Sequence, residues 1–442
     1  MQFNSVEFLF LFLPIFIFAY LATPERLRNG TLVLESLLFY ALGSGGSYWH
    51  LGVLVGTCVC TWLLGLALGK GRRWLLVLSL ALLTGLLLFF KIYRGGKLLM
   101  PGLSFFVFQM AAYLIDVSRG RITAETRLIR YGAQITMFPK LLSGPLMPPA
   151  ELKRQTWGRG YIRKDFRKGL EKLILGLGMK VILADRVGVL WDKAVILGFD
   201  SVSVIFAWLA LIAWAMRLYF DFWGYSLMAI GLGQMLGFEL PENFRDPYAA
   251  RSVSDFFRRW HSTLGLWFRE YIYIPLGGSR KGTGRTVLNL CIVWALTGLW
   301  HGIGRQYLIW AGMLCLLIVN EKLWLGKLLK KAGAAANLYT IFVILLSWVP
   351  FATGSIGEML TLFGRLFGAS GKALNTMDYL PLLRDFGVLL LSGAILATPL
   401  PRKVFRKVRG QLWFDVILFF LFWTVVYYLA TAKQDPFLYF RF

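Results

Sequence analysis

Charge is scarce in this chain. Only 16% of its 442 residues are charged, and there are just 23 acids, three histidines and four cysteines. With 57% hydrophobic residues and a mean hydropathy of +0.61, this excludes an ordinary soluble globular domain. The cysteines exclude more. Cys58, Cys60, Cys291 and Cys315 lie in apolar stretches and no C-x-x-C occurs, so neither a zinc ribbon nor a thioredoxin motif is supported. They read as small buried apolar residues. No H-E-x-x-H or other paired-ligand spacing is present, which argues against a metal. The start, MQFNSVEFLFLFLPIFIFAYL, lacks a basic n-region and a small-x-small cleavage site, so it reads as a retained first span.

Bases are not scarce. The 48 lysines and arginines give a net charge of +25, which in a soluble protein would suggest nucleic acid. Here they cluster between apolar runs, as the positive-inside rule and contact with anionic lipid headgroups require. Nucleic acid is therefore not expected as a partner; membrane lipids are.

The apolar runs are long enough for spanning helices rather than barrel strands. They predict an all-α polytopic membrane protein with about ten to twelve membrane segments, in one integral membrane domain over residues 1–442. Expected spans include Phe8–Leu21, Leu51–Leu68, Trp74–Phe90, Leu103–Val117, Gly176–Phe199, Leu338–Ala352 and Trp413–Ala432. Val202–Phe238 is too long for one straight span. The basic loops after residues 25, 70 and 119 are assigned to the cytoplasm, leaving the N-terminus outside; Lys91, Arg94 and Lys97 complicate that alternation. Gly132–Pro149 holds too much proline and glycine for a helix and reads as re-entrant or interfacial. Glu151–Lys172 reads as an amphipathic basic stretch on the cytoplasmic surface. Ser355–Arg384 reads as a loop. No internal repeat is evident, so an inverted-repeat transporter gains no support.

Chemistry concentrates in Arg251–Gly304, which holds His261 and His301. No formally charged side chain occurs from Thr286 to Gly304. The apolar run Val287–Trp300 covers ~21 Å as helix, short of a ~30 Å hydrocarbon core. His301 then sits well inside the membrane, where an ionisable group is a functional candidate. The alternative is a histidine hydrogen-bonded to a neighbouring helix. Ser252-Val-Ser-Asp255 resembles a capping box, and Phe257, Trp260, His261, Leu264 and Phe268 then form one apolar helical stripe. That places His261 on a packed face, where it is either functional or a satisfied core residue.

Arg258, Arg259, Arg269, Arg280, Lys281 and Arg285 form a cationic belt around a glycine-rich turn, Gly277–Gly284. Such a turn can hold phosphate, although it is not a Walker A loop. The alternative is positive-inside charge on lipid phosphates. Asp221 is an acid in an apolar stretch. It could orient a histidine or pair with an arginine, and a structural pair is favoured.

These residues carry a resemblance. FPKLLSGP (138–145), YFDFWGYSLMAIGLG (219–233), ENFRDPY (242–248), FFRRWHSTLGLWFREYIYIPLGGSRKG (256–282) and GLWHG (298–302) resemble the membrane-bound O-acyltransferase family, within its bacterial alginate-O-acetylation-like branch. FNSVEFLFLFLP and the C-terminal DPFLYFRF resemble that branch too. The resemblance implies a multi-helix fold with a buried histidine in a channel crossing the membrane. His301 matches the principal catalytic histidine and His261 the second active-site position, with Trp260, Trp300 and Asp221 in support. The family pattern has Ser and Asp where this chain has Trp223 and Leu227. The implied reaction moves an acyl group, most simply from acetyl-CoA, to an exopolysaccharide or cell-wall glycan outside a bacterial cell membrane. His301 would be the base, and His261 or a neighbouring donor would orient the thioester or stabilise the oxyanion. No bound cofactor is implied. An extracytoplasmic acetyltransferase- or esterase-like partner and polysaccharide machinery are. D-alanyl transfer toward teichoic acid from a carrier-protein thioester is the alternative within the family. A lipid or polysaccharide translocator, or a non-catalytic scaffold, is the alternative outside it.

Overall fold

The computed structural model describes residues 1–45, 47–92, 100–157, 162–369, 371, 373–431 and 437. Every regular element among them is helical. Among the described residues, seven helices are long and apolar enough to cross a membrane: Tyr48–Gly69, Leu75–Ile92, Val204–Met235, Arg305–Lys331, Ala334–Ala352, Tyr379–Leu396 and Leu412–Thr431. Two further apolar helices, Phe8–Ala22 and Leu103–Ser118, are shorter. The expected all-α polytopic membrane architecture is therefore present. Of the expected span 176–199, residues 176–197 belong to a continuous helical run that carries Lys180, Asp185 and Asp192, ends at Gly198 (φ 86°) and does not meet the apolar criterion for a span.

The chain divides into two compact units. The first comprises Met1–Leu177, Tyr225–Glu242 and the described residues from 422 onward; the second comprises Gly178–Gly224 and Asn243–Leu421. The helix Val204–Met235 is unbroken over 32 residues. It is ~48 Å long, which exceeds the hydrocarbon core without any interruption of the helix.

In the first unit, the proline- and glycine-rich segment is broken as its sequence demands. Leu128–Thr136 ends at Met137, a four-residue turn Phe138–Leu141 follows, and irregular chain leads to Pro149–Trp157. Residues 131–147 are all buried. Freed backbone groups at such a place need side-chain partners. Ser36 Oγ accepts from Phe138 N at 3.0 Å. Gln109 clasps Met147 from both sides, Nε2 donating to its carbonyl at 2.9 Å and Oε1 accepting from its N–H at 3.4 Å. Phe138 seals the segment against Phe16 and Phe39, with ring centroids 4.7 and 5.2 Å away.

Two local expectations change. Glu151–Lys172 is not one surface stretch: it falls in the helices Pro149–Trp157 and Ile162–Gly178, and Leu152, Gln155 and Thr156 are buried. Ser355–Arg384 contains the helix Ile356–Leu366, because Ser355 Oγ caps Glu358 N at 3.1 Å and an apolar face follows. Arg94, Lys97 and most of the C-terminal DPFLYFRF lie outside the described residues.

Candidate functional site

Every residue of the site belongs to the second unit, and it is built on a capped helix. Ser252 Oγ accepts from Asp255 N at 3.0 Å, so the serine N-cap at the start of Val253–Arg259 is present. A second cap comes from far along the chain. The Glu321 carboxylate accepts from Val253 N at 2.6 Å, Ser254 N at 2.9 Å and Ser254 Oγ at 2.8 Å. An anion on the first N–H groups of a helix meets the positive end of its dipole. At the other end, Asp255 pairs with Arg258 at 3.4 Å and Arg259 at 3.0 Å.

The apolar stripe predicts one helix through His261, and the structure breaks it there. Trp260 leaves the helix, His261 takes a left-handed conformation (φ 45°, ψ 46°), and a new helix runs Ser262–Phe268. A left-handed non-glycine residue costs about 1–2 kcal/mol, so something must compensate. Asn243 does. Its carbonyl accepts from Ser262 N at 3.0 Å. Its Oδ1 accepts from Thr263 Oγ1 at 2.9 Å and Thr263 N at 3.3 Å, and lies 3.0 Å from His261 Nδ1. Arg245 N donates to Arg259 O at 3.0 Å, continuing the clasp. Periodicity reads only local order, so it could not see a partner eighteen residues upstream.

His261 is 6% exposed and packs edge-on against Phe222, with centroids 4.7 Å apart. Burial pushes its imidazole down, to about 3, which keeps the ring neutral at ordinary pH.

The glycine-rich turn is tied to the helix that follows it. Gly277 and Gly278 adopt positive φ (107° and 57°). Arg285 Nε donates to Leu276 O at 2.9 Å, and the buried Asn289 donates to Gly278 O at 2.9 Å. The helix Gly282–His301 rises from this turn and carries His301 as its last residue, sixteen positions beyond Arg285. That separation is ~24 Å along the axis.

GLWHG now has a physical reading. At Gly298 a methyl group would stand 2.9 Å from Ala311 Cβ, so glycine lets the helix Arg305–Asn320 approach closely. At Gly302 a methyl group would collide with the Tyr307 ring. The result is an aromatic cage. The His301 ring centroid is 4.5 Å from Trp300, 4.9 Å from Trp310 and 5.0 Å from Phe351, all close to edge-on. Trp300 also reaches His261, with centroids 6.2 Å apart. One indole thus touches both imidazoles, which are forty residues apart in sequence. Trp260 joins the same cluster through Trp348 (5.3 Å), which stacks on Trp310 at 6.2 Å.

The other expected residues fall elsewhere. The Arg258 side chain is 75% exposed, and Arg269, Arg280, Lys281 and Arg285 are exposed too. They form a surface belt, apart from the buried cage. Asp221 is buried and pairs with Lys180 at 2.7 Å, while Lys180 also reaches Asp185 at 2.6 Å. Its ion pair is made with a lysine, where the sequence suggested an arginine or a histidine. No cluster of three or more metal-binding side chains occurs among the described residues.

Sequence reasoning missed Asn243, Glu321, Lys180 and Trp310. Trp310 is 2% exposed, and its indole N–H has no acceptor among the described residues, an exposed cost that a buried indole ordinarily avoids. The ENFRDPY stretch was singled out as a motif, and its asparagine carried the signal that could have found Asn243.

This helical membrane chain buries one histidine, His261, and half-buries a second, His301, around one tryptophan, with a cationic surface on the same segment, an arrangement suited to proton transfer. The chain belongs to the membrane-bound O-acyltransferase family, whose model (MBOAT) matches residues 74–344, and it is an O-acyltransferase. It is 32% identical to a probable alginate O-acetylase AlgI of Pseudomonas putida, over 100% of both chains. It is 30% identical to the peptidoglycan O-acetyltransferase of Helicobacter pylori, over 84% of this chain and 81% of the relative. The teichoic acid D-alanyltransferase of Bacillus subtilis matches 47% of this chain, and 55% of its own length, at 24% identity.

Proposed function

We propose that this protein moves an acetyl group from a cytoplasmic thioester, acetyl-CoA, across a bacterial cell membrane for O-acetylation of an extracytoplasmic polysaccharide or cell-wall glycan. The observation that carries the reading is the histidine pair held around Trp300, in a chain similar over its whole length to a probable alginate O-acetylase.

The chemistry follows from the residues. The acceptor hydroxyl oxygen attacks the thioester carbonyl carbon. Its proton passes to His301, and the C–S bond breaks as the ester forms. The imidazolium returns the proton to the departing sulfur, leaving a free thiol. A base at this position is worth ~10²- to 10⁴-fold in rate. Trp310 Nε1–H is a buried donor beside His301, suited to the carbonyl oxygen as charge builds on it. The aromatic rings around the half-buried His301 limit the water that can reach it, and water would otherwise hydrolyse the thioester. Arg258, Arg259, Arg269, Arg280 and Lys281 offer a cationic surface to the phosphates of the donor. Among the described residues no large soluble domain able to grip a polymer occurs, and in this reading an extracytoplasmic acetyltransferase- or esterase-like protein completes the transfer.

D-alanyl transfer from a carrier protein is the second reading, supported by the match to the Bacillus subtilis enzyme, which covers less of the chain. The deciding experiment is transfer from radiolabelled acetyl-CoA in inside-out vesicles carrying wild type or His301→Ala. Label reaching the far side in wild type alone supports the proposal. No transfer by a folded wild type, supplied with its partner, would move the assignment to another donor; equal transfer in both would remove His301 from the chemistry.

A further inference from the structure

We infer that Asn243 is a positioning residue that fixes His261 as the Nδ1–H tautomer, so that Nε2 of the neutral ring is a hydrogen-bond acceptor and not a donor.

The argument starts at Thr263. Its backbone N–H can only donate, and it points at the Asn243 side chain at 3.3 Å. The atom it meets is therefore the amide oxygen. The reversed amide would set NH2 against N–H. Thr263 Oγ1 reaches the same oxygen at 2.9 Å. His261 Nδ1 is 3.0 Å from it as well. A carbonyl oxygen has no proton to give, so Nδ1 must carry the proton of that bond. In a neutral imidazole one nitrogen donates and the other accepts, and Nε2 is left with its lone pair.

Sequence and backbone reinforce this. Asn243 is 1% exposed, so no water competes for the amide oxygen. The left-handed turn at His261 brings its ring and Thr263 N to one acceptor, which a continuous helix through residue 261 would not do. The burial that disfavours imidazolium keeps the ring in the two-state tautomer choice that Asn243 decides.

The consequence reassigns a role. An oxyanion needs a donor, and His261 held this way offers an acceptor. His261 can receive the hydrogen bond of a hydroxyl or thiol and so orient it toward His301. Stabilising the carbonyl oxygen falls to a buried donor such as the Trp310 indole. The tautomer rests on geometry alone, whereas its effect on rate rests on the acyl-transfer reading above.

The test separates the two. The full protein is labelled with [15N]histidine and reconstituted in lipid bilayers, and its imidazole nitrogens are read by solid-state 15N NMR, with His261→Gln assigning the signal. Wild type is expected to show a protonated Nδ1 and an unprotonated Nε2. Asn243→Ala is expected to lose that preference and to lower kcat about 10- to 100-fold, with KM for acetyl-CoA changing less than about two-fold. Asn243→Asp keeps an oxygen acceptor, so it is expected to keep the tautomer and recover activity above the alanine variant. An Nε2–H tautomer in wild type, or an unchanged tautomer in Asn243→Ala, overturns the inference. The expected tautomer with unchanged kcat in Asn243→Ala overturns Asn243's role in the reaction and with it His261's, and leaves the tautomer standing.

Discussion

Gly302 and the Tyr307 ring pack with no room for a methyl group between them. Gly302 has extended backbone (φ 173°), so any residue could adopt its conformation and the constraint is purely steric. His301 is the preceding residue, and Phe351 packs on both the His301 and Tyr307 rings. Gly302→Ala should therefore push Tyr307 aside and disturb the cage. A loss of activity of about 10-fold or more is expected, following the sensitivity of rate to ångström misplacement. Tyr307→Ala in the same chain should return part of it, which steady-state assays of the single and double variants would show. No rescue would mean the glycine serves something other than clearance.

Glu321 ties the start of the helix Val253–Arg259 to a π turn, Glu321–Leu325, that interrupts Arg305–Lys331. Removing the carboxylate strands two backbone N–H groups and the Ser254 hydroxyl. Glu321→Ala should cost about 1–3 kcal/mol, and Glu321→Gln, which keeps one acceptor, about half that. Thermal unfolding in detergent gives the order wild type, glutamine, alanine. Because the same helix leads to His261, hydrogen exchange at Val253–Arg259 should rise in step.

What was legible in the sequence was what local rules encode. The apolar runs marked the helices, and Ser252-x-x-Asp255 marked a true helix start. The same rule applied to Ser355-x-x-Glu358 would have found Ile356–Leu366, where glycines suggested a loop. The histidines stood out because they were ionisable groups in apolar company. What stayed hidden was decided by partners distant in sequence. Asn243 turns a predicted stripe into a break, Glu321 caps from 68 positions away, and Lys180 meets an acid from another helix. No periodicity registers such contacts. The resemblance named His261 and His301 as two site positions but not what joins them; Trp300 lies against both rings.

Lys180 lies between Asp221 and Asp185, all three within ion-pair distance and Lys180 and Asp221 nearly free of solvent. Breaking a buried pair by removing one partner costs about 3–5 kcal/mol, because the remaining charge is stranded. Lys180→Met takes the cation from two carboxylates at once, whereas Asp221→Asn leaves the lysine its bond to Asp185. Lys180→Met should thus lower the apparent melting temperature more than Asp221→Asn. The reverse order would show that Asp221 does more than balance this lysine, and would reopen a role for it in the reaction.

Trp310 separates packing from chemistry most cleanly. Its ring packs on His301, Trp348 and Phe351, so truncation to alanine would remove a wall of the cage. Phenylalanine keeps much of the aromatic surface and deletes only the N–H, which already lacks an acceptor among the described residues. For a purely structural tryptophan, Trp310→Phe should be close to neutral in rate, since a hydrogen bond that is not made cannot be lost. For a donor to the developing oxyanion, kcat should fall about 10²- to 10³-fold while the melting temperature holds. KM for the thioester should change little, because the bond strengthens only as the carbonyl oxygen gains charge. The two expectations differ by orders of magnitude in kcat at equal stability, so one assay on one variant decides between them.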